Sequence, residues 1–242
     1  MSLPKINLPV YDLVLPLSKT KVKFKPFTVK EQKILLLALE SDNPEFINEN
    51  IKQIIRNCCI TEIDVDSLAA VDIEFFFINL RARSVGEQVD LKYRCENVID
   101  QETGEVCKNK LDISYNVLDI KLDSEDYKDV IPLTSTIGVK MKFPDYSALE
   151  KMRMSTSATK AAFDVVVSCI EYIYDDDQFY YAKETKKEEL VDFIESLNVD
   201  QFNHIQKFFE QMPKLQKVIK TKCSKCGYDH TITIEGLENF FE

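Results

Sequence analysis

Glycine, histidine and tryptophan are scarce in this sequence of 242 residues, which contains five, two and none of them respectively. So few glycines argue against an enzyme that cradles phosphates in glycine-rich loops, and no Walker loop, dinucleotide fingerprint or nucleophile elbow is present. His204 lies beside Phe202 and Ile205 in a helical pattern, where a histidine usually packs on the helix face. The acidic residues show no paired spacing typical of acid–base catalysis. We therefore expect a protein that is not an enzyme.

The sequence also lacks a long apolar run and an excess of basic residues. Its densest apolar stretch, residues 34–39, is far too short to span a bilayer. The formal net charge of -10 repels nucleic acid and anionic lipid. These features predict a soluble protein that has neither nucleic acid nor a membrane as a partner.

Cysteine, in contrast, is well represented, with seven copies. An odd number of cysteines, and a start without the apolar segment of a signal peptide, favour a reducing cytoplasm. Cys58, Cys59 and Cys169 lie in apolar stretches and are expected to be small core residues.

The other four cysteines form two pairs, each between β-like segments. Cys223 and Cys226 belong to a C-x-x-C-G knuckle near the C-terminus, and Cys95 and Cys107 flank a turn-rich insert at residues 96–106. Two facing turns of this kind supply the four soft ligands of a tetrahedral structural zinc site. The sequence therefore predicts one structural Zn²⁺ that clamps the middle of the chain to its end.

Other interpretations of these cysteines stay open. A C-x-x-C pair can be a redox motif, but here the β-like residues 231–234 follow it instead of the helix of a βαβ unit. The spacing of Cys95 and Cys107 also suits a lone disulfide or two unrelated thiols. His230 lies four residues after Cys226 and could replace one cysteine ligand.

The periodicity of the chain predicts an α+β fold with an N-terminal β-hairpin, a helical body and a zinc-ribbon-like pair of β-hairpins that carry the four cysteines. We expect four segments. They are residues 1–86, with the hairpin and three helices; residues 87–144, rich in β-structure with the first cysteine pair; residues 145–212, helical; and residues 213–242, a zinc-knuckle hairpin that packs on 87–144.

Several element boundaries carry local signals. Capping boxes at Thr28–Glu31 and Ser147–Glu150, and Asn43 before Pro44, predict helix starts. Further helices are predicted at residues 67–82, 157–174, 186–197 and 198–211, and strands at 114–122 and 138–143. Residues 175–177, three aspartates, fail the EF-hand pattern and are expected to form a solvated turn.

Several short segments resemble the baseplate hub assembly protein family of T-even-type, contractile-tailed bacteriophages. The resemblance is clearest in the N-terminal third and looser through the Cys95 hairpin and residues 140–144. The segments that carry it are Leu3-Pro4-Lys5-Ile6-Asn7, Tyr11-Asp12-Leu13, residues 21–27, residues 29–36, residues 64–68 and residues 80–87.

This resemblance implies a factor that builds the central hub of the tail baseplate, as an assembly chaperone or a minor hub component. It implies hub and tape-measure proteins as partners and the host cytoplasm or the virion tail baseplate as location. It transfers no catalytic residue. Because aromatic side chains anchor interfaces, the candidate contact residues are Phe75, Phe76, Phe77, Phe240 and Phe241, although the helix at 67–82 could equally be a central core helix.

Two other functions compete with this one. The Cys223–Cys226 knuckle is also typical of a zinc-ribbon adaptor that binds nucleic acid or a polymerase. A hydrolase with a displaced site is the third possibility, but a closed four-cysteine site leaves zinc no open position for catalysis.

Overall fold

The structure, a computed structural model, describes residues 6–41 and 43–235 of the chain. Seven α-helices and eleven β-strands lie within those residues. The helices are α1 Val29–Leu39, α2 Pro44–Cys58, α3 Ala70–Ser84, α4 Tyr146–Met154, α5 Ala158–Ser168, α6 Lys187–Ser196 and α7 Val199–Glu210. The strands are β1 Tyr11–Val14, β2 Lys21–Phe24, β3 Gln88–Arg94, β4 Lys110–Asn116, β5 Lys121–Leu122, β6 Val130–Pro132, β7 Ile137–Met141, β8 Ile170–Asp175, β9 Gln178–Tyr181, β10 Leu215–Lys222 and β11 Asp229–Glu235. The chain is an α+β protein, as the sequence predicts.

The N-terminal hairpin and the first two helices form as their local sequence predicts. Strands β1 and β2 pair antiparallel. Thr28 caps α1 in a capping box, in which the Glu31 carboxylate accepts a hydrogen bond from the Thr28 backbone amide at 3.0 Å. Asn43 caps α2, whose first residue is Pro44. Each signal acts through residues at most three positions apart, so the sequence alone predicts it.

Helix α3 is at the centre of the larger hydrophobic core. The side chains of Ile73, Phe76, Phe77 and Leu80 have no exposed surface. They are surrounded by apolar residues of the N-terminal hairpin, of α2 and of the strands that follow. The helix begins later than predicted because Val65–Ser67 form a separate 3-10 turn.

The burial of α3 corrects one prediction about contact residues. Phe76 and Phe77 point into the core, so the structure does not support them as anchors for a partner. Phe75 is half-buried and packs against the same core. The other two candidates, Phe240 and Phe241, lie outside the described residues.

Asp72 fastens the N-terminal hairpin to α3. Its carboxylate is fully buried and accepts hydrogen bonds from the backbone amides of Leu17 and Ser18, both at 2.8 Å. These amides belong to the loop between β1 and β2. A buried charge is tolerated here because both carboxylate oxygens have a donor.

The second core lies between a four-stranded sheet and helices α5 to α7. The strand order is β6-β7-β8-β9, with antiparallel neighbours throughout. Val139 and Ile173 pair across the sheet and are buried against Leu190 of α6 and Ile205 of α7.

Two local predictions in this region are wrong. The helix predicted at residues 157–174 ends at Ser168, and β8 begins at Ile170. In the mostly apolar run at residues 161–174, periodicity does not separate a buried helix from a buried strand, and pairing with β7 and β9 makes residues 170–175 a strand. The cap of α4 is Asp145, which accepts from the Ala148 amide at 2.8 Å, instead of Ser147. Of the three aspartates at 175–177, Asp176 and Asp177 form the exposed turn between β8 and β9, and Asp175 is the last residue of β8.

Two hairpins complete the fold. Strand β3 pairs with β4, and β10 pairs with both β11 and the short β5. Leu215 and Ile234 of the second hairpin are buried in the larger core. The strand predicted at 114–122 is split in two. Residues 114–116 belong to β4 and residues 121–122 form β5, with a 3-10 turn at Val117–Asp119 between them. The division into four segments stays a prediction. Within the described residues, none of the helices is both long and apolar enough to cross a membrane.

Candidate metal centre

The first cysteine pair is held by the backbone of the β3–β4 hairpin. Cys95 follows β3 and Cys107 precedes β4, and the insert between them folds back on itself. The Cys95 amide donates to the Asn109 carbonyl at 2.8 Å, and the Cys107 amide donates to the Asn97 carbonyl at 2.9 Å. These crossed hydrogen bonds set the two thiols side by side at one end of the hairpin.

The second pair sits in the turn between β10 and β11. The Cys223 amide donates to the Tyr228 carbonyl at 2.8 Å, and the Gly227 amide donates to the Cys223 carbonyl at 2.9 Å. Gly227 has a φ of 73°, in the left-handed region where a side chain adds strain. The glycine of the C-x-x-C-G motif is therefore required by the turn that presents the sulfurs.

The structure brings all four predicted cysteines together. Their Sγ atoms lie within 4.8 Å of one another. Cys95 Sγ is 3.6 Å from Cys226 Sγ, and Cys107 Sγ is 3.8 Å from Cys223 Sγ, so each short distance joins the two hairpins. Four clustered sulfurs, and no disulfide among the described residues, favour a shared site over a lone disulfide.

This spacing fits a tetrahedral metal ion. Bonds of about 2.3 Å from zinc to four sulfurs require sulfur–sulfur separations of about 3.8 Å. Cys95, Cys107 and Cys223 are buried, and Cys226 is half-buried. Leu111, Tyr93 and the cysteines themselves form a small apolar cluster. The four sulfurs can thus enclose an ion and shield it from water.

Two asparagines make equivalent hydrogen bonds to cysteine sulfurs on the two sides of the site. Each follows a cysteine at the second position, as Cys95-x-Asn97 and Cys107-x-Asn109. Each backbone amide hydrogen-bonds to the sulfur of its own cysteine. The side-chain amide of Asn97 reaches Cys226 Sγ at 3.7 Å, and that of Asn109 reaches Cys223 Sγ at 3.5 Å. Each asparagine therefore contacts one sulfur in each hairpin.

The local environments of the cysteines shift their thiol pKa values in opposite directions. Hydrogen bonds from the Cys226 and Lys225 backbone amides lower the pKa of Cys223 to about 6, against the burial of the thiol. Burial raises the pKa of Cys95 to about 12 and also raises that of Cys107. Cys223 therefore ionises more readily than Cys95 and Cys107, and a bound cation would replace the protons of those two thiols.

His230 lies against this cluster. It is buried, and its Nε2 is 3.1 Å from Cys95 Sγ, with the rings of Tyr93 and Tyr228 at its edges. It lies outside the group of four sulfurs that share a common centre. Its position is that of a hydrogen-bond partner to a ligand sulfur, which fixes ligand orientation in metal sites.

The sequence interpretation missed Asn97 and Asn109. The signal that identifies them is the repeated Cys-x-Asn spacing, which becomes meaningful only when the two cysteines are seen in equivalent turns. Several large apolar side chains that the sequence interpretation did not single out are exposed in the described residues. They include Leu36 and Leu37 on α1 and Phe179, Tyr180 and Tyr181 on β9.

The chain is similar to known bacteriophage baseplate proteins. A family model described as T4 bacteriophage base plate protein matches residues 8–242. Baseplate hub assembly protein gp26 of Enterobacteria phage T4 is 23% identical to this chain over 222 residues. That alignment covers 91% of this chain and 92% of the T4 protein. No solved structure matches the chain.

Proposed function

The chain belongs to the T4 bacteriophage base plate protein family, and we propose that it is a non-enzymatic assembly factor for the hub of a phage tail baseplate. The observation that carries this proposal is the match with a baseplate hub assembly protein over nearly the whole of both chains. The family match includes the N-terminal hairpin, both cores and both cysteine-bearing hairpins.

The protein acts through contacts with other proteins, as an assembly chaperone or as a minor hub component. Its partners are baseplate hub and tape-measure proteins, and its place of action is the host cytoplasm, in which the tail is built. A cluster of four cysteines that can hold a metal as thiolates suits that reducing compartment. The net charge of -10 supports a protein partner over nucleic acid.

Zinc is the ion that best suits the candidate metal centre, with Cys95, Cys107, Cys223 and Cys226 as its ligands. Four thiolates in a tetrahedron are a set that structural zinc prefers over the harder cations. The support for this assignment is the pair of sulfur–sulfur distances of 3.6 and 3.8 Å that join the hairpins.

In this role the ion stabilises the fold and takes no part in a reaction. Four cysteine ligands fill its coordination sphere, so no position is left for water or a substrate. The ion would tie β3–β4 to β10–β11, whose cysteines are more than 100 residues apart along the chain. Metal binding then contributes to the free energy of folding through the two hairpins that the ion joins.

The proposal is tested in the phage that encodes this chain. Cells infected with a phage that lacks the gene should accumulate tail proteins without complete baseplate hubs, as seen by electron microscopy. Expression of the chain from a plasmid should restore the hubs. Normal, infectious tails from the deletion phage would contradict the proposal.

Mass spectrometry of purified virions then distinguishes a minor hub component from an assembly chaperone. A minor hub component is retained in the virion at a fixed copy number. An assembly chaperone is abundant in infected cells and missing from the finished particle.

A further inference from the structure

Strand β9 ends the four-stranded sheet with an uncharged, aromatic edge. Within the described residues it pairs only with β8. Its sequence is Gln-Phe-Tyr-Tyr, and all four residues are exposed. Phe179 is 51% exposed, although its ring also contacts Tyr172 of β8 at a centroid distance of 5.3 Å. An exposed apolar edge of this kind favours pairing with another strand.

The backbone of β9 offers hydrogen-bonding groups to such a strand. The Ala182 amide donates to the Glu171 carbonyl at 3.0 Å. This hydrogen bond shows which alternate residues of the strand direct their backbone groups to β8. By the alternation of an antiparallel ladder, Tyr180 also bonds to β8, and Phe179 and Tyr181 direct their amides to the outer edge. The Tyr181 carbonyl accepts from the Glu184 amide and the Thr185 hydroxyl, both at 2.9 Å. The outward amide and carbonyl of Phe179 are therefore the centre of the edge.

The opposite edge of the same sheet is protected. Strand β6 has only three residues and ends in Pro132, which has no amide hydrogen to donate. Strand β9 contains neither proline nor a charged residue, and its pairing with β8 has a continuous register. Of these two edges, β9 is the one built to accept a neighbour.

The charges at the two ends of β9 are complementary to each other. Asp175 ends β8, Asp176 and Asp177 form the turn before β9, and all three are exposed. After the strand, the Lys183 ammonium lies over the ring of Tyr181 and 3.7 Å from the Glu184 carboxylate. If two copies of β9 pair antiparallel, the acidic turn of each copy comes beside Lys183 of the other. Such a contact is self-complementary, as a two-fold symmetric interface requires.

We infer that β9 is a self-association surface, through which two copies of this chain pair antiparallel about Phe179 and join their sheets. The two Phe179 residues exchange backbone hydrogen bonds at the dyad, and the exposed aromatic side chains of both copies become neighbours. Because a four-residue strand buries little area, the dimer is weak and depends on concentration. This inference does not depend on the role in baseplate assembly.

The test is sedimentation of the full, metal-loaded chain with a reductant, which prevents disulfide-linked dimers. The weight-average mass should rise from 28.0 kDa toward twice that value as the concentration increases. A chain that stays monomeric over the whole range would overturn the inference. That result would also be expected if the edge binds a strand of another protein and not a second copy of this chain.

Charge reversal identifies the surface. Asp177→Lys and Lys183→Glu should each weaken the dimer about fivefold or more, because each reversal puts two like-charge pairs into the symmetric interface. An equimolar mixture of the two variants, or a chain with both changes, should regain the association of the parent. Equal association of all variants would contradict the proposed pairing.

A backbone variant separates strand pairing from simple aromatic contact. Phe179→Pro removes the outward amide, whereas Phe179→Ala removes the same side chain and keeps the amide. We expect Phe179→Pro to abolish the dimer and Phe179→Ala to retain part of it, with thermal unfolding used to show that both chains fold. Equal association of the two variants would show that β9 does not pair as a strand.

Discussion

The side-chain amide of Asn109 lies 3.5 Å from Sγ of Cys223, a residue 114 positions later in the chain. The same amide is 3.2 Å from the hydroxyl of Ser224. One side chain of the first hairpin thus holds the knuckle of the second. Hydrogen bonds of this kind orient ligand sulfurs and lower the charge that they present to an ion.

Replacing Asn109 should therefore weaken metal binding without removing a ligand. We expect Asn109→Ala to lower zinc affinity about tenfold or more, measured by competition with a chromophoric chelator. Asn203→Ala, an exposed asparagine on α7, is the matched control and should bind zinc like the parent. Equal affinities of the two variants would show that Asn109 has no role at the site.

Loss of a ligand should have a larger effect. Cys95→Ser and Cys223→Ser should both lose zinc and melt at lower temperature, because serine is a poor ligand for a soft-ligand site and the ion joins two hairpins. Cys59→Ser is the control. Cys59 is half-buried, and its thiol bonds to the Thr61 carbonyl at 3.2 Å, a contact that a hydroxyl can keep. Zinc content and melting temperature equal to those of the parent in both ligand variants would refute the shared site.

The pairing of Asp72 with the hairpin loop gives a prediction about stability. Asp72→Asn leaves one acceptor oxygen in the core for the two partly buried amides of Leu17 and Ser18, so it should reduce the free energy of unfolding by about 1–3 kcal/mol. Asp112→Asn on the exposed face of β4 should have little effect. Chemical denaturation measures both. A small effect at Asp72 would mean that the loop finds other acceptors.

Gly138 is needed because a side chain at this position would collide with Tyr174. It lies opposite Tyr174 in the β7–β8 pair, and a methyl group on Gly138 would overlap the Tyr174 ring. Gly138→Ala should destabilise the protein by about 1–3 kcal/mol through overpacking. Adding Tyr174→Ala should remove most of this cost, since the two changes share one contact. An additive double variant would contradict the proposed overlap.

The sequence predicts the features whose signals are local. The four cysteines, the capping box at Thr28 and the cap at Asn43 can be recognised because a few residues define each one. The pairing partners of the hairpins are not local, so the contacts of Asn97 and Asn109 with distant sulfurs could not be predicted.

The errors have the same origin. Residues 161–174 form a mostly apolar run in which periodicity does not mark the end of the helix, and only the neighbours of β8 make its last residues a strand. Phe76 and Phe77 look like interface anchors in sequence because cores and interfaces use the same aromatic residues. Their burial depends on how the N-terminal hairpin packs over α3.

X-ray absorption spectroscopy at the zinc edge tests the account most directly, on protein purified without chelators. The account predicts about one zinc per chain with four sulfur neighbours at about 2.3 Å. A metal-free preparation, or an ion with fewer than four sulfurs and a nitrogen contributed by His230, would contradict it.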